Sequence, residues 1–286
     1  MKYLFCTDGS DNSFLALEAV LRLVKEGAVV DVFSVLISKN DLTKRNNSDG
    51  GDEYLKKISE KTKKIVKRHA QFLENIFVEH GDVQRIIEYL GVNFYNMIIL
   101  GSHNYKGFKN KFFGFARKIV EKSAYPIFIF HGELSKLEKK KKKILLCVDD
   151  SFATLNAVIS FMKNFNTDHD IVLLTVESQL SRQPLEICLE GNQLQEFAEK
   201  EIALLARNMD GIEKILCHNE INIKSKVHLR GNPSEEILNF AKQDFDLIVL
   251  GSHSKDGLVN FLFGSVSRNI LDYVNIPVLI IPTKPS

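Results

Sequence analysis

Residues 96–114 read NMIILGSHNYKGFKNKFFG, and residues 246–264 read DLIVLGSHSKDGLVNFLFG. The two align without a gap at an offset of 150, sharing Leu100/Leu250, the Gly-Ser-His that follows, Gly107/Gly257 and Phe113-Gly114/Phe263-Gly264. Three further blocks repeat in the same order. YLFCTDGS at 3–10 matches ILLCVDDS at 144–151, His80-Gly81-Asp82 matches Arg230-Gly231-Asn232, and Tyr125-Pro126-Ile127 matches Ile276-Pro277-Val278. Four blocks in register, at offsets of 141 to 151, mean that one unit occurs twice in the 286 residues. The polar stretch Ser135-Lys136-Leu137-Glu138, followed by Lys139 to Lys143, separates the copies, so we expect domains 1–138 and 139–286.

Each copy alternates short apolar runs with helical spacing. In the second, Ile144–Val148, Ile171–Val176, Val227–Leu229, Leu247–Leu250 and Val278–Ile281 read as strands. Between them, Ala153–Phe165, Glu190–Ala206, Ser234–Lys242 and Gly264–Tyr273 have apolar residues at helical spacing, and Pro233-Ser234-Glu235-Glu236 is a helix start. The first copy fits the same scheme with strands near 2–7, 29–37, 76–79, 97–100 and 127–130, and Ser38–Asp52 as a polar, glycine-bearing loop. Continuous apolar strands joined by helices predict a parallel sheet covered on both faces. The expected fold is α/β: two repeated doubly wound domains, Rossmann-like, each a five-stranded parallel sheet with helices on both faces.

Composition narrows the class of function. Hydrophobic residues at 44% and charged residues at 26% are ordinary for a soluble globular chain. Thirty-eight Lys and Arg against thirty-six Asp and Glu leave +2, far from a dedicated nucleic-acid binder, and Lys139–Lys143 reads as a solvated linker. No apolar run approaches the roughly 20 residues of a membrane span, and no secretory segment opens the chain. Cys6, Cys147, Cys188 and Cys217 form no metal-ligand or redox spacing, so we expect a cytoplasmic protein.

Open parallel sheets bind ligands beyond the carboxyl ends of their strands, where the strand order reverses. Two loops there are polar. After the first strand come Asp8-Gly9-Ser10 and Asp149-Asp150-Ser151; after the fourth come Gly101-Ser102-His103 and Gly251-Ser252-His253, with Gly114 and Gly264 before the next helix. A glycine-flanked loop entering a helix presents free N–H groups and the positive dipole end to phosphate. A carboxylate on the facing loop suits ribose hydroxyls. His103 and His253 have no nucleophile and orienting group beside them, so they read as loop-fixing residues, with no catalytic set in the chain. Asp49–Asp52 and Asp168-His169-Asp170 offer no converging metal ligands and read as loops.

At these residues the sequence resembles the universal stress protein family, in the adenine nucleotide α-hydrolase-like group of folds. Its ATP-binding members carry Gly-x2-Gly-x9-Gly-[Ser/Thr] after the fourth strand and an Asp after the first. The resemblance covers nearly the whole chain and implies a stress-response role, ATP as ligand, with or without Mg2+, and dimer-like pairing through the last strands. That pairing could be made within this chain or with a second copy, and an unidentified protein partner is implied. In the second domain Asp149, Gly251, Gly264 and Ser265 fall on the motif, Ser267 adds a hydroxyl and Lys255 or Arg268 charge, but Ser254 replaces the second glycine. A serine forced to positive φ costs about 1 kcal/mol. In the first domain Asp8, Gly101 and Gly114 remain, while Asn104 and Phe115 depart from the motif, and Phe115 removes a hydroxyl. We therefore expect an adenine-nucleotide site in the second domain and a degenerate one in the first. Two alternatives stand beside it: a nucleotide-free interaction scaffold, and an adenylyl-transferring enzyme, whose Ser-Gly-Gly-x-Asp-Ser loop is only loosely matched at Thr7–Ser13.

Overall fold

The computed structural model describes residues 1–36, 49–80, 82–101, 115–149, 152–178, 191–252 and 264–282. The chain divides into two compact units, one built mainly on Met1–Glu138 and the other on the residues from Lys139 onward.

The first unit runs β1 (Lys2–Thr7), α1 (Asp11–Leu21), β2 (Val29–Leu36), α2 (Asp49–Arg68), β3 (Phe72–His80), α3 (Val83–Val92), β4 (Met97–Gly101), α4 (Phe115–Lys122) and β5 (Ile127–Phe130). Its strand order is β3-β2-β1-β4-β5, with each of these neighbouring pairs parallel. The chain steps outward from β1 to β3, then crosses back to β4, so the order reverses between β1 and β4. Right-handed crossovers place α1 and α2 on one face and α3 and α4 on the other. Leu4, Phe5, Val32, Ile98, Ile99 and Phe128 are fully buried, as expected of central strands covered on both sides.

The second unit repeats the plan with β6 (Lys143–Cys147), α5 (Phe152–Asn164), β7 (Asp170–Ser178), α6 (Gly191–His218), β8 (Ile223–Gly231), α7 (Pro233–Phe240), β9 (Leu247–Ser252), α8 (Ser265–Tyr273) and β10 (Val278–Pro282). The order is β8-β7-β6-β9-β10, again all parallel, with the reversal between β6 and β9. α7 starts as its sequence requires: Asn232 accepts the N–H groups of Ser234 and Glu235, and Pro233 occupies the first turn.

Four local expectations change. The third strand of each unit is much longer than its apolar fragment, because it lies at the sheet edge. Glu74, Asn75, Lys224, Ser225 and Lys226 face water there and hide the strand from a hydrophobicity reading. α6 continues a further three turns past Ala206, since Met209, Ile212 and Leu216 keep one buried stripe going. Asp49–Asp52, expected as loop, forms the first turn of α2. Finally, the lysine run is solvated only over Lys139–Lys141 and its end is packed into the second unit. Lys139 pairs with Asp244 at 2.9 Å and Lys141 with Asp170 at 2.6 Å. Lys142 is buried, and the Lys143 ammonium lies 4.2 Å from the centre of the Phe245 ring. Asp168 is exposed and Asp170 opens β7. Among the described residues no helix is long and apolar enough to cross a membrane.

Candidate functional site

In the first unit the loop after β1 is satisfied largely by itself. Asp8 Oδ1 accepts the Ser10 N–H at 3.0 Å and the Ser10 hydroxyl at 2.6 Å, and Ser10 caps α1 by accepting the Ser13 N–H. The buried Thr7 hydroxyl lies 2.6 Å from Ser13 Oγ and accepts the Gly9 N–H. Gly9 needs its left-handed φ of 77° to make this turn. Asp8 is therefore a turn former whose carboxylate already serves its own loop. Gly101 also has a local reason: a Cβ there would stand 2.8 Å from Ser13 Cα and 3.0 Å from Asn12 O. α1 lies against the end of β4, and only glycine lets the two backbones meet. Tyr54 of α2 covers the same loop. Its hydroxyl lies 2.9 Å from Ser34 Oγ in β2, and its ring would be 2.8 Å from a Cβ on Gly9. Gly114 lies outside the described residues, as do Ser102, His103, Asn104 and the side chain of Phe115.

The second unit is built differently at the same place. Asp149, exposed just beyond β6, accepts the Thr154 hydroxyl on Oδ1 at 2.6 Å, while its own N–H donates to that hydroxyl at 3.0 Å. Thr154 is buried in the first turn of α5, so it fixes the direction of the carboxylate. Gly251 and Ser252 end β9 half-buried. Gly264 caps α8 in extended conformation with no side-chain hydrogen bond to the helix N-terminus, a contrast with the capped N-termini of α1, α3 and α7. Ser265 is exposed at the first helical position, Ser267 is buried, and the half-buried Arg268 has an Nε without a hydrogen-bond partner. The unmet N–H groups of this first turn carry the positive end of the helix dipole. Ser254 lies outside the described residues, with His253, Lys255 and Asp256.

The structure thus puts Asp149 after β6, next to the strand-order reversal, with Gly251 at the end of the neighbouring β9. Gly264, Ser265 and Ser267 sit together at the start of α8.

Sequence reasoning missed several residues. Thr154 orients Asp149, and Tyr54 covers the loop of the first unit. On β7, the buried Thr175 has an Oγ1 without a partner, and Glu177, 2% exposed, accepts Arg230 Nε at 2.8 Å with His228 Nε2 at 3.5 Å. The signal for the last group was a hydroxyl and a carboxylate closing an otherwise apolar strand, opposite two basic residues two apart on β8.

Burial shifts two of the cysteines and one histidine away from their ordinary values. Burial pushes the Cys147 thiol well above its ordinary range, and the Asp149 charge adds to that. Burial does the same to Cys6 and lowers His131 to about 4, leaving it neutral. Among the described residues no three His, Cys, Asp or Glu side chains gather to hold a metal ion.

The model of the universal stress protein family matches residues 1–131 and again 141–282. A universal stress protein of Methanocaldococcus jannaschii is 31% identical over 160 residues, spanning 51% of this chain and 97% of that protein. A second from the same organism is 27% identical over 170 residues, spanning 58% of this chain and 96% of its own length. Each aligns with about half of this chain. Over the whole length, the crystal structure of a universal stress protein from Archaeoglobus fulgidus superposes with a TM-score of 0.68 at 20% identity, covering 98% of both chains.

Proposed function

The chain belongs to the universal stress protein family, and on that premise we propose that its second unit binds an adenine nucleotide and that the protein acts in the stress response by changing partners, without catalytic turnover. The observation that carries this reading is the start of α8. Gly264 leaves the helix amides uncapped by any side chain, and Ser265 is exposed beside them. These groups would hold phosphate, and Asp149, directed by Thr154, would hold ribose hydroxyls. A bound Mg2+ would neutralise phosphate charge, with its remaining positions filled by water. In the first unit Asp8 serves its own loop and Tyr54 covers it, so that unit acts as structure.

The scaffold alternative draws on one observation, that Asp149 already has a partner in Thr154. Mass spectrometry of small molecules released from the denatured protein, followed by calorimetric titration with ATP, separates the two. We expect one ATP per chain, lost in Gly264→Val and weakened in Asp149→Ala. No released nucleotide and no heat would leave the scaffold, and rapid turnover of ATP with an acceptor would bring back the enzyme.

A further inference from the structure

The first unit shows what shape its crevice accepts. Tyr54 brings a flat ring with one polar edge beside the loop after β1, and a strand hydroxyl, Ser34 Oγ, reads that edge at 2.9 Å. Strand register identifies the matching position in the second unit. Ser34 follows Phe33, the partner of Cys6; Thr175 follows Leu174, the partner of Cys147. Thr175 is 3% exposed and its Oγ1 has no hydrogen-bond partner. Such a group costs about 1–3 kcal/mol when left unsatisfied, so a partner for this hydroxyl would be stabilising.

The stretch of α6 that matches Tyr54 offers no hydrogen-bonding side chain. α2 and α6 finish alike: the N–H groups of His69 and Asn219 bond to Val66 O and Leu216 O, and Ala70 and Glu220 follow in left-handed conformation at φ 53° and 59°. Carried back from there, the offset of 150 sets Leu204 against Tyr54. Leu204 lies within Ile202-Ala203-Leu204-Leu205-Ala206, where no side chain can hydrogen-bond, so an error of one or two positions in the alignment changes nothing. The second unit keeps the strand hydroxyl and lacks the tyrosine.

We propose that Thr175 reads the base in the second unit: its Oγ1 hydrogen-bonds the polar edge of a planar heteroaromatic ring, the purine of the bound nucleotide, which takes the place Tyr54 fills in the first unit. This rests on the nucleotide reading above and adds a residue and a recognition mode to it. It also gives the two units their inequality, since Tyr54 shuts out of one unit the ring that the other admits.

The test uses the full-length chain with ATP, adenosine and inorganic tripolyphosphate as separate titrants, against Thr175→Val, which keeps the shape, and Thr175→Ser, which keeps the hydroxyl. Loss of one hydrogen bond to the ring should weaken ATP and adenosine about tenfold in Thr175→Val and leave Thr175→Ser within about threefold of wild type. Tripolyphosphate binding should be the same in all three, and thermal melts identify any variant that fails to fold. Wild-type affinity for ATP and adenosine in a folded Thr175→Val overturns the proposal. Binding of adenosine without ATP would sustain Thr175 and overturn the nucleotide site. No binding of either by the wild-type chain overturns both.

Discussion

Glu18 is a carboxylate on α1, only 6% exposed, held by two arginines and a histidine: Arg68 at 3.0 Å, His69 at 2.9 Å and Arg22 at 3.3 Å. Burial alone would raise its pKa, but hydrogen bonds and charge from His69, Arg68 and Arg22 outweigh it and hold the group below its ordinary value. A depressed folded-state pKa stabilises above the unfolded value, and that stability is lost as the pH falls through the folded one. Glu18→Gln should therefore cost about 3 kcal/mol near neutrality, with the gap from wild type closing as the pH falls below about 4.5. Urea melts of the two proteins between pH 3 and pH 7 check this, and a gap that widens in acid would contradict it.

Gly101 teaches a second lesson at this scale. It falls on a nucleotide motif, yet backbone atoms of Asn12 and Ser13 account for it fully. Gly101→Ala should destabilise the protein by about 1–3 kcal/mol, because the obstruction is backbone that cannot swing aside. ATP binding, measured by calorimetry, should be untouched. A motif records which residue stands at a position, and several physical demands select the same residue. Tyr54 and Thr175 were invisible for the opposite reason, since neither belongs to any pattern and their meaning depends on a contact made in one unit and missing in the other.

Among the helices whose N-caps are described, α8 is set apart by what its N-terminus lacks. Asn232 and Asp82 cap α7 and α3 through their side chains, while Gly264 offers none. Gly264→Asp would provide a cap and complement the dipole, raising stability by a few tenths of a kcal/mol. The same carboxylate would occupy and repel the proposed phosphate position. We expect a slightly higher melting temperature together with loss of ATP binding, opposite signs that a general folding defect could not produce. Element types were legible because central strands here are continuous apolar runs. Edge strands were not: β3 and β8 expose every other residue or more, so only fragments of each looked like strand. Likewise the second half of α6 has a buried stripe one side chain wide, diluted by polar neighbours.

At the scale of the molecule, the duplication was written openly in four ordered blocks, and the same sequence led us to expect unequal nucleotide sites. That expectation rested on Asn104, Ser254 and Phe115, whereas the proposed inequality rests on Ser34 with Tyr54 and Thr175 without one. Hydrogen exchange with and without ATP should show protection at the ends of β6, β7 and β9 and at the start of α8, with the first unit unchanged. At a hundredfold excess over Kd, ligand adds about 2.7 kcal/mol to whatever opening it blocks. Equal protection in both units would count against their inequality.

The clasp made by Lys139, Lys141 and Lys143 bears on how the chain may be taken apart. A fragment cut before Lys139 carries its own fastening for Asp244, Asp170 and the Phe245 ring. One cut before Ile144 removes the Lys139 and Lys141 ion pairs, so that Asp170 keeps Lys224 alone, leaves the buried Asp246 without the backbone N–H of Lys143, and strips the ammonium from an aromatic ring. The modularity implied by an ancient doubling thus ends at a definite residue, and the segment that resembles a mere spacer is part of the machinery of the half that follows it.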